Sequence, residues 1–306
     1  VTEPVVIAHR GASGYLPEHT REAKVLAHAM GADFIEQDVV ATRDGVLLVL
    51  HDIYLDAVTD VAAKFPGRAR GDGRHYVIDF SHEEILQLSV SERRRLDTGA
   101  AEFADRFPPG RSRFAISTLA EEIELIQGLN RTLGREAGIY PEIKDPQWHH
   151  EHGIDLGRLM LSTLAAYGYD EPDADIYVQC FEADELRRFR FELGARMPLV
   201  QLLTSDDRMD DAAFATIAGY ANGIGPPYLA LARFEDDVWR STHRCELARA
   251  SGLQVHPYTF RRDRLPPGAS SLRALLEYFF AEIGISGAFC DHPDEAIAVR
   301  SKLHVD

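Results

Sequence analysis

The chain has 306 residues, 45% of them hydrophobic and 27% charged, with a formal net charge of −16. That length fits one α/β barrel with a sizeable core. The acidic balance argues against a nucleic-acid partner, which needs clustered Lys and Arg, and means that any phosphate site must carry its own local positive charge, from a metal and an arginine.

The chain opens Val1-Thr2-Glu3-Pro4 with no signal-peptide pattern, as in a processed or trimmed form, and enters an apolar run at 5–8 at once. Ala23, Leu26, Ala27 and Met30 then follow the spacing of one helix face. A strand is expected at 34–40, a turn at Thr42-Arg43-Asp44-Gly45, and a further run at 46–50. The turn is too short for a crossover, so 46–50 pairs antiparallel, outside the regular order. From there the alternation of helix and strand stops until about Ser117. This interval is rich in Gly, Arg and Asp, with one capping box at Ser81 and Glu84, and suits a surface cap over one mouth rather than a second independent core. A second capping box, Thr118 with Glu121, restarts the pattern. Strands are expected at 139–143, 176–180, 199–202, 223–225, 254–258 and 287–290, with a helical stretch before each next one. Without the extra strand the count is eight, which predicts a single (β/α)8 TIM-barrel-like domain over 1–306, with an insertion at about 52–115. A doubly wound sheet would want a Gly-rich dinucleotide turn, and Gly11-Ala12-Ser13-Gly14 is not one. Cys180, Cys245 and Cys290 suggest no disulfide framework, and Cys180 and Cys290 read as buried free thiols. No apolar stretch is long enough to span a membrane.

Barrel active sites sit where strands end. Those ends give His9-Arg10-Gly11, Glu36 and Asp38, His51-Asp52, Glu142 and Lys144, Gln179 and Phe181, His256 and Tyr258, and Asp291. In a strand, Glu36 and Asp38 face the same way. Such like charges inside a barrel are costly without a cation. With Glu142 they form an oxygen-rich set suited to Ca²⁺ or Mg²⁺; the competing reading is a structural network with arginines. His9 and His51 each end an early strand and could exchange protons near neutral pH, or could be hydrogen-bonded structural residues. Arg10 could clamp a phosphate bidentately or form an ordinary ion pair.

Residues 7–20, Ile-Ala-His9-Arg10-Gly11-Ala-Ser-Gly-Tyr-Leu-Pro-Glu-His19-Thr, resemble the opening signature of the glycerophosphodiester phosphodiesterase family. The Glu36-x-Asp38 pair, Val49-Leu50-His51-Asp52 and Pro141-Glu142-Ile143-Lys144 match its later blocks in order. Residues 54–61, Gln179-Cys180-Phe181, Gly223-Ile224-Gly225-Pro226 and 255–259 are similar to the bacterial periplasmic branch. His19 stands where many relatives carry Asn, and that branch also uses His there. The resemblance covers essentially the whole chain. It implies a hydrolase that splits glycerophosphodiesters such as glycerophosphocholine and glycerophosphoethanolamine into glycerol 3-phosphate and an alcohol. By similarity Glu36, Asp38 and Glu142 hold one divalent cation, with Ca²⁺ favoured and Mg²⁺ the alternative. His9 and His51 are the acid–base pair, and Arg10 binds phosphate. Lys144, Gln179, Phe181 and Tyr258 line the pocket, and the insertion covers the glycerol end. The implied mechanism runs through a cyclic phosphate made by the glycerol's own 2-hydroxyl. The branch implies the periplasm; the lack of a signal-peptide pattern leaves the cytoplasm open.

Other residues read more plainly. His149, His150 and His152 cluster in an expected loop without ligand spacing for a second metal. Glu121, Glu122 and Glu124 suit a helix start through the dipole alone. Leu275, Leu276, Tyr278, Phe279 and Phe280 read as core or interface, with a homodimer left open and no membrane anchor expected. The competing functions are a glycosidase, which would need neither metal nor Arg10, a phosphodiesterase acting on lysophospholipids, and a barrel that binds a phosphodiester without turnover.

Overall fold

A computed structural model describes residues 3–303. Among these, eight parallel strands follow one another round a barrel: β1 (Val5–Ala8), β2 (Phe34–Ala41), β4 (Gly138–Ile143), β5 (Val178–Cys180), β6 (Leu199–Leu202), β7 (Gly223–Gly225), β10 (Gln254–Val255) and β11 (Gly287–Cys290). β1 lies between β11 and β2, and β4 to β10 continue in chain order. The seam is closed by the Ser286 N–H donating to the Val255 carbonyl at 2.9 Å and the Phe289 N–H to the Pro257 carbonyl at 3.1 Å. The barrel interior is packed by Ile7, Tyr140, Val200 and Phe289, one each from β1, β4, β6 and β11, so it is a core and not a pore.

The expected extra strand, β3 (Leu47–Val49), pairs antiparallel with the end of β2, Val39 opposite Val49 and Ala41 opposite Leu47. This hairpin has a consequence for the site. It carries the chain past the mouth and brings it back to the level of Asp38, whose carbonyl accepts the Leu50 N–H at 2.8 Å. His51 follows directly.

The helices begin where their caps say. Thr20 caps Arg21–Met30, and Thr118 and Glu121 form both halves of a capping box on Leu119–Leu133. Residues 52–115 carry little regular structure: the short helices Val61–Lys64 and His82–Ile85, the second boxed by Ser81 and Glu84, a 3-10 turn at Val77–Asp79, and isolated bridges such as Thr59 to Val90. They do not lie bare on the barrel. Leu55, Val58, Val61, Phe80 and Ile85 join Val40 and Leu48 of the hairpin in a second apolar cluster.

Three expectations need correction. Between β7 and β10 stands a hairpin, β8 (Ala232–Glu235) with β9 (Val238–Ser241), as well as the helices Tyr228–Leu231 and Arg244–Ala250. Its turn residues Asp236 and Asp237 both take positive φ, a conformation Asp tolerates better than most non-glycine residues. The run expected as a strand at 254–258 is a two-residue strand followed by a single bridge at Tyr258. The histidines expected in a loop lie on and just after the helix Pro146–Glu151, which starts with proline in its first turn. Cys180, Cys245 and Cys290 are buried free thiols. Leu275, Leu276, Phe279 and Phe280 pack into the main core. No helix of the described residues is long and apolar enough to cross a membrane.

Candidate active site

The ten residues given catalytic, binding or metal-ligand roles from the sequence line one cavity of about 460 Å³ at the C-terminal mouth: His9, Arg10, Glu36, Asp38, His51, Glu142, Lys144, Gln179, Phe181 and Tyr258. Strand register accounts for the centre. Asp38 pairs with Glu142 across β2 and β4, and Glu142 with Gln179 across β4 and β5, while Glu36 lies two residues back on the same face of β2. One carboxylate oxygen from each of Glu36, Asp38 and Glu142 lies within 4.8 Å of the others, and all three residues are buried.

Three buried carboxylates so close cannot all ionise alone. Desolvation, then Asp38 and Glu142, push Glu36 well above its usual range. Glu142 is raised to about 8, by burial first and by Asp38, with Lys144 opposing. Asp38 moves the other way: against burial, Lys144, His19 and His51 hold it well below the carboxylate range. The donor set fits a hard divalent cation, which would let all three ionise. Asp38 Oδ1 is buried and has no hydrogen-bond partner, leaving a lone pair for such an ion. Gln179 Nε2 donates to Glu36 Oε1 at 2.9 Å and Lys144 Nζ to Glu142 Oε1 at 2.8 Å, so two predicted pocket residues steady two predicted ligands.

His9 is set by the loop that follows β1. Gly11 there has φ of +84°, and a Cβ on it would lie 2.8 Å from the Ala23 carbonyl carbon, so only glycine lets the loop press against the helix Arg21–Met30. His9 Nδ1 lies 2.6 Å from Asp291 Oδ1. Asp291 Oδ2 in turn accepts from Arg106 Nη2 at 2.5 Å and Arg261 Nε at 2.9 Å. His51 has the same arrangement: Nδ1 lies 2.5 Å from Asp52 Oδ1, and Arg93 Nη1 donates to Asp52 Oδ2 at 2.7 Å. With Nδ1 held by a carboxylate, each ring presents Nε2 to the cavity side. Both are lowered to about 4: His9 by burial, with Asp291 opposing, and the partly open His51 by desolvation, Arg10 and Lys144.

Arg10 donates from Nη1 to Glu18 Oε1 at 3.0 Å, and Glu18 is gripped by Arg93 through two bonds of 2.6 and 2.9 Å. Arg93 thus ties the carboxylate behind His51 to the one behind Arg10. A second chamber of about 440 Å³, sharing His9, Arg10, His51, Arg261 and Arg264 with the first, lies under the inserted segment and is lined by seven arginines against four carboxylates. The local positive charge demanded by a chain of net −16 is present. The first cavity is less polar on its far side, where Tyr258 donates its hydroxyl to the Leu203 carbonyl at 2.8 Å and Phe181 stays 41% exposed at the rim.

Two histidines lie elsewhere, one a strand-end candidate and one read from the sequence as no metal ligand. His256 is buried in the barrel with its Nδ1 3.0 Å from the Tyr140 hydroxyl and does not line the cavity. His149 is a packed core residue whose Nε2 accepts the Ala41 N–H at 3.2 Å. Sequence reasoning gave no part to Glu18, Arg93, Arg106 or Arg261. Only Asp52 and Asp291, adjacent to strand ends, carried a readable signal.

Residues 9–295 match the glycerophosphoryl diester phosphodiesterase family. The chain is 40% identical to a glycerophosphodiester phosphodiesterase of Haemophilus influenzae over 97% of its own length and 89% of that protein's. It is 34% identical to one of Treponema pallidum, over 98% and 93%. In fold it is similar to an Oleispira antarctica phosphodiesterase solved in complex with the product sn-glycerol-3-phosphate, with a TM-score of 0.67, 21% identity and 98% and 97% of the two chains covered.

Proposed function

The chain belongs to the glycerophosphoryl diester phosphodiesterase family and is a hydrolase of glycerophosphodiesters, and from that premise we propose that it uses a divalent cation and two histidines to release glycerol 3-phosphate from substrates such as glycerophosphocholine and glycerophosphoethanolamine. The observation that carries this reading is the meeting, in one cavity, of a buried three-carboxylate cluster, two histidine–aspartate pairs and Arg10.

Glu36, Asp38 and Glu142 would hold the cation, Ca²⁺ in preference to Mg²⁺. When bound, it supplies Lewis-acid neutralisation of charge developing on the phosphate. Arg10, steadied by Glu18, grips a phosphate oxygen. One histidine takes the proton of the glycerol 2-hydroxyl through Nε2, and the freed oxygen attacks phosphorus. The other gives a proton to the departing alcohol oxygen. The attack is intramolecular, so its effective concentration is high. Water then opens the resulting cyclic phosphate with the two roles reversed. Asp291 and Asp52 keep each ring's Nδ1 occupied, so proton traffic stays on Nε2. Residues 52–115 cover the glycerol end, where Arg93 and Asp52 form the wall beside His51. The periplasm remains our proposal for its compartment.

The test is release of glycerol 3-phosphate from glycerophosphocholine and glycerophosphoethanolamine by the purified protein. Turnover of both supports the reading. Binding without turnover would leave a phosphodiester-binding barrel instead.

A further inference from the structure

Lys24 is an anomaly. It lies on the helix Arg21–Met30, outside the catalytic cavity, yet it is 0% exposed, and so is its ion-pair partner Glu122 on the helix Leu119–Leu133. Burying both charges is expensive, and such a pair is weak evidence for stability alone. Its surroundings suggest another use. Lys24 Nζ forms the ion pair with Glu122 Oε2 at 3.3 Å and has two hydrogen-bond acceptors, the main-chain carbonyl of Glu36 and His19 Nδ1 at 3.0 Å. His19 is itself buried, and its Nε2 lies 2.6 Å from Asp38 Oδ2. The row Glu122–Lys24–His19–Asp38 therefore runs without a gap from the outer helix layer to the carboxylate cluster.

An ammonium group donates and never accepts. A His19 ring with its proton on Nδ1 would set N–H against N–H, so Lys24 permits the tautomer with a bare Nδ1 and the proton on Nε2. That proton can only go to Asp38 Oδ2, which leaves Oδ1, the oxygen without a partner, directed elsewhere. Arg10 Nε stands 3.6 Å from the same Oδ2 and adds to the division of labour between the two oxygens. From this geometry we infer that Lys24 and Glu122 are positioning residues for the cation site: they fix the His19 tautomer, and His19 fixes the Asp38 carboxylate so that Oδ1 faces the ion. Glu122 supplies the counter-charge that keeps the Lys24 ammonium in the interior. This rests on Glu36, Asp38 and Glu142 as the cation ligands.

Two readouts independent of turnover test it. Nitrogen-15 NMR of the histidine rings reads the His19 tautomer in the intact protein. The expected form is neutral with the proton on Nε2, and a proton on Nδ1 would overturn the inference. Calorimetric titration with Ca²⁺ alone reads the consequence. The double variant Lys24→Met with Glu122→Leu replaces the pair by apolar groups of similar size, a change buried pairs often survive. It should lose affinity by about tenfold or more, the usual effect of removing support behind a ligand. An amide cannot switch tautomer, so in a His19→Asn background the same double substitution should change affinity by less than about twofold. Wild-type affinity in the double variant, or equal losses in both backgrounds, would reduce the pair to a structural one. A wild-type protein that binds no Ca²⁺ and no Mg²⁺ would instead remove the cation reading beneath it.

Discussion

Asp38 and Glu142 stand directly side by side in the parallel pairing of β2 with β4, both pointing into the barrel mouth. Neighbouring strands are about 4.8 Å apart, so this register alone forces two carboxylates together, and Glu36 makes a third. A cation held there would relieve that repulsion in the folded state and would have no comparable site in the unfolded chain. Ca²⁺ at about a hundred times its Kd should therefore stabilise the protein by about 2.7 kcal/mol, read as a rise in Tm. Asp38→Asn should abolish most of the rise. An unchanged Tm in the wild type would show that the cluster does not select such an ion.

The two histidine–aspartate pairs predict a symmetrical loss. His9→Ala and His51→Ala should each reduce turnover by something on the order of 10²-fold or more, with little change in denaturant midpoint. Near-normal turnover in either variant would make that ring structural and reassign the acid–base pair.

The barrel was readable in the sequence because its strands are short apolar runs and its helices announce themselves, as Thr118 and Glu121 do. The carboxylate cluster was readable for a related reason: Glu36, Asp38 and Glu142 are charges in the middle of strand-like runs, where charge is out of place. What stayed hidden depends on chain separation or on missing periodicity. Arg93 and Arg106 fall in the irregular insertion, and nothing local says that they reach Asp52 and Asp291. Glu122 reads as an ordinary acidic helix start and is in fact wholly buried against Lys24. The hairpin of β8 and β9 turns on Asp236-Asp237 without a glycine, so the usual turn signal is lacking.

The inserted segment makes a prediction about substrates. If it encloses the glycerol, the 2-deoxy analogue of glycerophosphocholine should bind but not react, since its internal nucleophile is missing. Varying the leaving alcohol should change rates only modestly. Rapid hydrolysis of the deoxy analogue would argue for direct attack by water. A steep dependence on head group would place the alcohol, rather than the glycerol, under the cap.

Away from the site, Asp155 caps the helix Leu156–Ala166 by accepting the Arg158 N–H at 3.0 Å, and Arg188 pairs with it at 2.6 Å. Burial alone would raise its carboxyl, but Arg188 and the Arg158 amide bring it down to about 2 from 3.8. A depressed folded value means that this stabilisation is complete above the unfolded value and is lost as pH falls towards the folded one. Asp155→Ala should cost about 1–2 kcal/mol at pH 7, measured by urea unfolding. The gap to wild type should close between about pH 4 and pH 2. A gap independent of pH would mean that the charge contributes nothing.

The central claim, a cation held by Glu36, Asp38 and Glu142 and required for hydrolysis, is tested most directly by glycerol 3-phosphate release from glycerophosphocholine after chelation. Chelated enzyme should be inactive, and Ca²⁺ or Mg²⁺ added back should restore the rate. Full activity in a preparation shown to be free of metal would contradict the account.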